Sequence, residues 1–285
     1  MENQIQNQSV ISQQSPTPQE APKYLFPTET IDLPSKGLVY PEGHPLSSGK
    51  IEMKYMTARE EDILTNQNYI QNGTMIDKLL QSLIVTKVDY NDLITGDKNA
   101  ILIAARILGY GKNYEFDYAG ETHVIDLTTL EHKVFDESLY TKGINEFNFT
   151  LPHSGNEVTF KIFDGHVEKK IENELKGLKK INKNASNELT TRLKYLITSI
   201  NGDRTSKTIR EFVDNSLLAR DSRALRDYVK EMQPDIDMEV PIEIEDRSIT
   251  ISLPLGVNFF FPDIWLLRPI PKTVIYSNPW YNISW

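Results

Sequence analysis

The residues with the clearest chemical potential are Gly96-Asp97-Lys98-Asn99, a glycine and a lysine arranged as in a phosphate-binding loop. Such a loop also needs a second glycine and a Ser or Thr directly after the lysine, and neither is present. The stretch reads instead as a helix start, with Asp97 accepting backbone N–H bonds as a cap. His123 and His132 flank Asp126 and offer imidazole and carboxylate donors. Their spacing matches no common zinc pattern and no cysteine can complete a site, so they read as exposed or hydrogen-bonded histidines. Carboxylates pair at Glu60-Glu61, Asp235 with Asp237, and Glu243 with Glu245. General acid and base work needs two carboxylates converging in one cleft with separated pKa values. Helix-start charge and solvated strand faces account for these pairs. There is no Gly-x-Ser-x-Gly elbow, and a cysteine nucleophile is impossible. No catalytic residue, metal ligand or cofactor is therefore assigned.

The sharpest polar cluster is ARDSRALRDYV, residues 219–229. Ser222 is expected to cap a helix, with Arg223 and Arg226 three apart on one face. The two guanidinium groups could clamp an acidic group on a partner, or pair locally with Asp221, Asp227 or Glu231.

Composition narrows the partners. A formal charge of −9 and a pI near 5.2 oppose wide phosphate-backbone binding, so a nucleic acid is not expected as a partner. The absence of cysteine excludes disulfides and fits a reducing compartment. No apolar run approaches the roughly 20 residues that cross a bilayer, and the N-terminus lacks a signal-peptide pattern. A soluble chain with no membrane contact is expected.

The elements that would hold these residues follow from hydrophobic period. Residues 1–24 are rich in Gln, Asn, Ser and Pro and read as a disordered arm. Residues 25–111 read as an extended segment, a strand and a first helical group. Ile51, Met53 and Tyr55 share a strand face, and Thr57 is a plausible cap. Helices are expected over 58–72 and 74–85, the second with Ile76, Leu79, Leu80 and Leu83 inward. A third, over 92–111, ends at Gly109 and Gly111.

Residues 112–165 read as a first β module. Tyr114, Phe116 and Tyr118 alternate, 124–127 supplies a short strand, and 146–163 forms a hairpin turning at Pro152 to Asn156. Residues 166–233 read as a second helical group, with helices over 166–183, 188–199, 206–218 and 222–232. Residues 234–262 read as a second β module turning at Glu245-Asp246-Arg247. The tail, 263–285, carries Trp265, Trp280, Tyr281 and Trp285 among prolines and reads as a partner-docking strap or a cover over its own helices. The fold class expected is α+β, with two helical groups each followed by a small antiparallel β module.

Several stretches, in order, resemble the baseplate hub assembly protein family of T-even-like contractile-tailed bacteriophages. They are Leu33-Pro34-Ser35-Lys36-Gly37 with Tyr40, AREEDIL at 58–64, the Leu79-Leu80 helix, GDKNAILIAARILGYG at 96–111 and the hairpin between Phe149 and Phe160. ARDSRALRDYV followed by Pro234-Asp235-Ile236-Asp237, and a closing Phe259-Phe260-Phe261-Pro262, complete the set, which spans about residues 26–264. The resemblance implies a non-enzymatic role in building the tail baseplate, with other tail or baseplate proteins as partners and the virion as destination after assembly in the host cytoplasm. A transient tail-assembly chaperone is the alternative role. A cell-wall hydrolase would need a nucleophile or metal motif that the sequence does not offer. Relatives often carry CxxC pairs resembling zinc ribbons in the strand-rich segments. Here Tyr118-Ala119-Gly120 stands where the first pair would fall, so no metal role is carried over.

Overall fold

In a computed structural model, residues 27–181, 187–244, 247–253 and 259–260 are described. The N-terminal arm, the aromatic tail with Trp265, Trp280, Tyr281 and Trp285, and the turn residues Glu245 and Asp246 lie outside them. The described chain is α+β: helices alternate with small antiparallel sheets around one shared hydrophobic core.

Strand β1 (Thr28–Asp32) pairs with β2 (Lys50–Lys54) in antiparallel register, Ile31 opposite Ile51. Ile51 and Met53 are buried, as alternation requires. Between the strands, the LPSKG turn and Tyr40 fold inward, and Leu33, Ser35 and Tyr40 are buried. Thr57 then caps α1 (Ala58–Leu64) as expected: the Glu60 carboxylate accepts from its N–H at 3.0 Å and its hydroxyl at 2.6 Å.

The single helix expected over 58–72 is two. After α1 the Asn66 side chain accepts from the N–H groups of Asn68 and Tyr69 and starts α2 (Gln67–Gln71) afresh. An Asn side chain that bonds nearby backbone in this way competes with helix continuation. Helix α3 (Met75–Leu83) buries Met75, Leu79, Leu80 and Leu83, while Ile76 packs at the core edge.

Helix α4 (Thr95–Tyr110) corrects the sequence reading at both ends. Ile94 precedes it with no side-chain cap, and Asp97 lies inside its first turn, facing the core. Gly109 remains helical, packed beside Met56. The helix ends at Gly111, whose φ of +83° is a conformation open to glycine. Arg106, fully buried, turns its guanidinium onto the carbonyls of Gly111, Asn113 and Phe259 at 2.9, 3.1 and 2.8 Å. It thus ties the end of its own helix, the start of the next strand and the C-terminal phenylalanines together.

The β3 (Asn113–Tyr118) and β4 (Glu121–Asp126) ribbon follows, the second strand starting earlier than the 124–127 expected. Strands β5 (Phe147–Thr150) and β6 (Glu157–Phe160) pair as the hairpin read from sequence, Phe147 opposite Phe160 and Phe149 opposite Val158. After α5 (Gly165–Ile181), the helix expected over 188–199 divides. Helix α6 (Glu188–Leu196) stops and the chain extends into β7 (Ile197–Ile200), which joins β6 as a third strand. Leu193, Leu196, Ile197 and Ile200 fit helical spacing, yet all four are buried because the second pair fills a sheet rather than a helix face. A strand from the second helical group therefore completes the sheet begun by the first β module.

Helices α7 (Ser206–Asn215) and α8 (Ala219–Met232) come next, the former capped by Thr205. Ser222 is not a cap: α8 begins a turn earlier, after Leu218. Strands β8 (Glu239–Ile244) and β9 (Arg247–Ser252) pair in antiparallel register as the last strands described, with Ile244 opposite Arg247.

Candidate functional site

The Gly96 to Asn99 stretch is a buried junction between distant segments. Asp97 is fully buried. One carboxylate oxygen accepts from the Ser35 N–H at 3.0 Å, and the other from the Ser35 hydroxyl at 2.7 Å and the Tyr40 hydroxyl at 2.6 Å. Ser35 Oγ in turn accepts from the Gly37 N–H, so its proton goes to Asp97. Burial, with a contribution from Asp235, raises the Asp97 pKa to about 6 against the pull of these hydrogen bonds.

On the other side, a Cβ at Gly96 would lie 1.9 Å from the Pro234 carbonyl oxygen. Only glycine permits that approach. Asn99 Nδ2 donates to Asp235 Oδ1 at 2.9 Å. Asp235 is thus no solvated strand charge. Burial raises its pKa, opposed by Asn99, the Ile236 N–H and Lys133. Buried Lys98 sits with its ammonium 4.5 Å from the centre of the Tyr90 ring, and the Tyr90 hydroxyl donates to Asp77 at 2.8 Å. The junction thus joins the LPSKG turn, α3, α4 and the Pro234 to Asp237 segment.

Helix α8 carries the second polar cluster. Asp221 is fully buried and accepts from the backbone N–H groups of His153 and Ser154 at 2.8 and 3.0 Å. It fastens the β5-β6 turn to the start of α8. Arg223 points outward with its side chain 79% exposed and lies 3.6 Å from Asp227, an i,i+4 pair. Arg226 is half-buried and donates to the Ser222 carbonyl at 3.2 Å. Of the acids expected as local partners, Asp227 engages Arg223 loosely and leaves its guanidinium exposed, whereas Arg226 bonds a backbone carbonyl instead.

His123, Asp126 and His132 do not converge. His123 packs against the Phe116 ring, Asp126 pairs with Lys112 at 2.6 Å, and His132 lies on a segment bridged to Ile236. A different group of ligand types does assemble: Asp92 lies between two histidines, 3.2 Å from His44 Nε2 and 3.1 Å from His166 Nε2, with Asp89 3.5 Å from the latter. Nothing in sequence spacing joins positions 44, 89, 92 and 166. The aspartates sit on the 3₁₀ turn Tyr90–Asp92 and its cap, and His166 rides on the first turn of α5.

Comparison with protein-family models, curated proteins and solved structures finds no match to this chain.

Proposed function

We propose that the chain is a non-enzymatic structural or assembly protein of a contractile phage tail baseplate hub, working through protein–protein contacts. The observation that supports this reading is where the family-like motifs meet. The LPSKG turn and Tyr40 bond to Asp97 of the GDKN stretch, and Asn99 of the same stretch bonds to Asp235 of the Pro-Asp-Ile-Asp stretch. The buried Asp221 of the ARDSRALRDYV stretch holds the Phe149 to Phe160 hairpin at its turn. Residues far apart along the sequence hold its segments in place. The resemblance therefore rests on positions that determine the fold, which would be shared by proteins of one architecture.

The partner-facing residues in this reading are Arg223 and Arg226 on α8 and the aromatic residues Trp265, Trp280, Tyr281 and Trp285 of the tail. Aromatic and arginine side chains dominate the energetics of protein interfaces. The reading is tested by affinity capture of the tagged full-length chain from infected cells, paired with mass spectrometry of purified particles. Capture of tail or baseplate proteins supports it. Stoichiometric presence in particles then marks a component, and absence marks a transient assembly role. Capture of no tail protein counts against the proposal.

A further inference from the structure

We propose that Asp89, Asp92 and His166 form a binding site for one divalent first-row transition-metal ion, zinc or a close analogue. The ligand atoms of these residues all lie within 4.8 Å of one another. Asp89 Oδ1 is occupied by the Asn91 N–H and side-chain amide, at 2.9 and 2.7 Å, which leaves Oδ2 facing His166 Nε2 at 3.5 Å. Asp92 Oδ1 faces the same nitrogen at 3.1 Å. One ring nitrogen carries at most one proton, so it bonds to one of the two carboxylates at a time while the other turns to solvent. A cation between the three atoms satisfies all of them. Metal–ligand bonds of about 2.0–2.2 Å at near-tetrahedral angles separate ligand atoms by roughly 3.3–3.6 Å, close to both spacings.

His44 supplies an outer support. Its Nδ1 accepts from the Leu46 N–H at 3.2 Å, so the neutral ring carries its proton on Nε2 and donates to Asp92 Oδ2 at 3.2 Å. That is the contact by which outer groups orient a ligating carboxylate, and it leaves Oδ1 for the ion. Within the same turn, the Asn91 side-chain oxygen is buried without a hydrogen-bond partner among the described residues. The positive charge of Lys169 also acts on Asp89. One imidazole with two carboxylates suits zinc, cobalt, nickel or manganese better than calcium, which takes six to eight oxygens. Three protein ligands leave a coordination position open to water.

The test uses the full-length chain after chelator treatment, titrated calorimetrically with zinc chloride near neutral pH and, separately, with Co²⁺ read by its visible absorption. The expected result is one ion bound per chain with a tetrahedral-type cobalt spectrum. Asp92→Asn and His166→Ala weaken binding by about tenfold or more, since even outer-support losses cost 10–100-fold. His44→Asn, which retains a capping oxygen for Leu46, weakens it within that range. His132→Ala leaves it unchanged. If His166→Ala fails to fold, Asp89→Asn replaces it, because asparagine keeps the cap of the 3₁₀ turn. Absence of saturable zinc binding by the wild-type chain, or binding that survives loss of His166 or Asp89, overturns the proposal.

Discussion

The Asp97 carboxylate takes both the N–H and the hydroxyl of Ser35, 62 residues earlier in the chain, at 3.0 and 2.7 Å. Local sequence makes Asp97 look like a helix cap. Tertiary structure makes it the anchor of the N-terminal turn.

Asp97→Ala is expected to leave the Ser35 N–H, Ser35 hydroxyl and Tyr40 hydroxyl without their acceptor. Each buried group so orphaned costs about 1–3 kcal/mol, and partial relaxation makes about 3–5 kcal/mol the expected total. Urea unfolding measures it. A loss below about 1 kcal/mol would show that the anchor is replaceable.

The same carboxyl gives a pH signature. Its folded pKa, about 6, lies above the ordinary carboxyl value of 3.8, so the folded chain holds this proton more tightly than the unfolded chain. Stability from this proton is fully present below the unfolded value and is lost as pH rises through about 6. The difference is on the order of 3 kcal/mol. The stability gap between wild type and Asp97→Asn should therefore widen as pH is lowered from about 7 to about 4. A gap that narrows over that interval would give the shift the opposite sign.

Gly96 and Gly177 should respond oppositely to alanine. At Gly96 the new Cβ would meet the Pro234 carbonyl at 1.9 Å, forcing the Pro234 to Asp237 segment away, at about 3 kcal/mol or more. At Gly177, inside α5, nothing lies within 4 Å, and alanine should stabilise by about 0.5–1 kcal/mol. Thermal denaturation of the two variants side by side reads both signs.

Glu168 and Arg192 form a buried ion pair at 3.0 Å that links α5 to α6. Burial raises the Glu168 pKa against the pull of Arg192. Arg192→Met alone should cost about 3–5 kcal/mol by stranding the carboxylate, whereas Glu168→Leu with Arg192→Met should recover most of it. A double-mutant cycle in urea distinguishes this from simple loss of packing.

The sequence is most readable where period and local caps act alone. Thr57 as a cap, the α3 core stripe and the β5-β6 hairpin all follow from neighbouring residues. It misleads where a side chain answers to a distant partner: Asp97 to Ser35, Asp221 to the His153 turn, and Ile197 and Ile200 to a strand about forty residues earlier. The break at Asn66 was local but hidden, because its apolar neighbours keep helical spacing on both sides. The grouping of His44, Asp89, Asp92 and His166 had no signal in spacing at all, since the turns that gather it are tertiary. Arg223 and Arg226 were visible as a pair on one helix face, and their positions on α8 agree with that spacing.

The functional proposal meets its most direct test in quantitative mass spectrometry of proteins captured by the tagged full-length chain during infection, compared with Arg223→Glu and with a chain lacking residues 263–285. The wild type should enrich tail or baseplate proteins, and at least one variant that still folds should lose that enrichment. Capture of no tail or baseplate protein above an untagged control would contradict it.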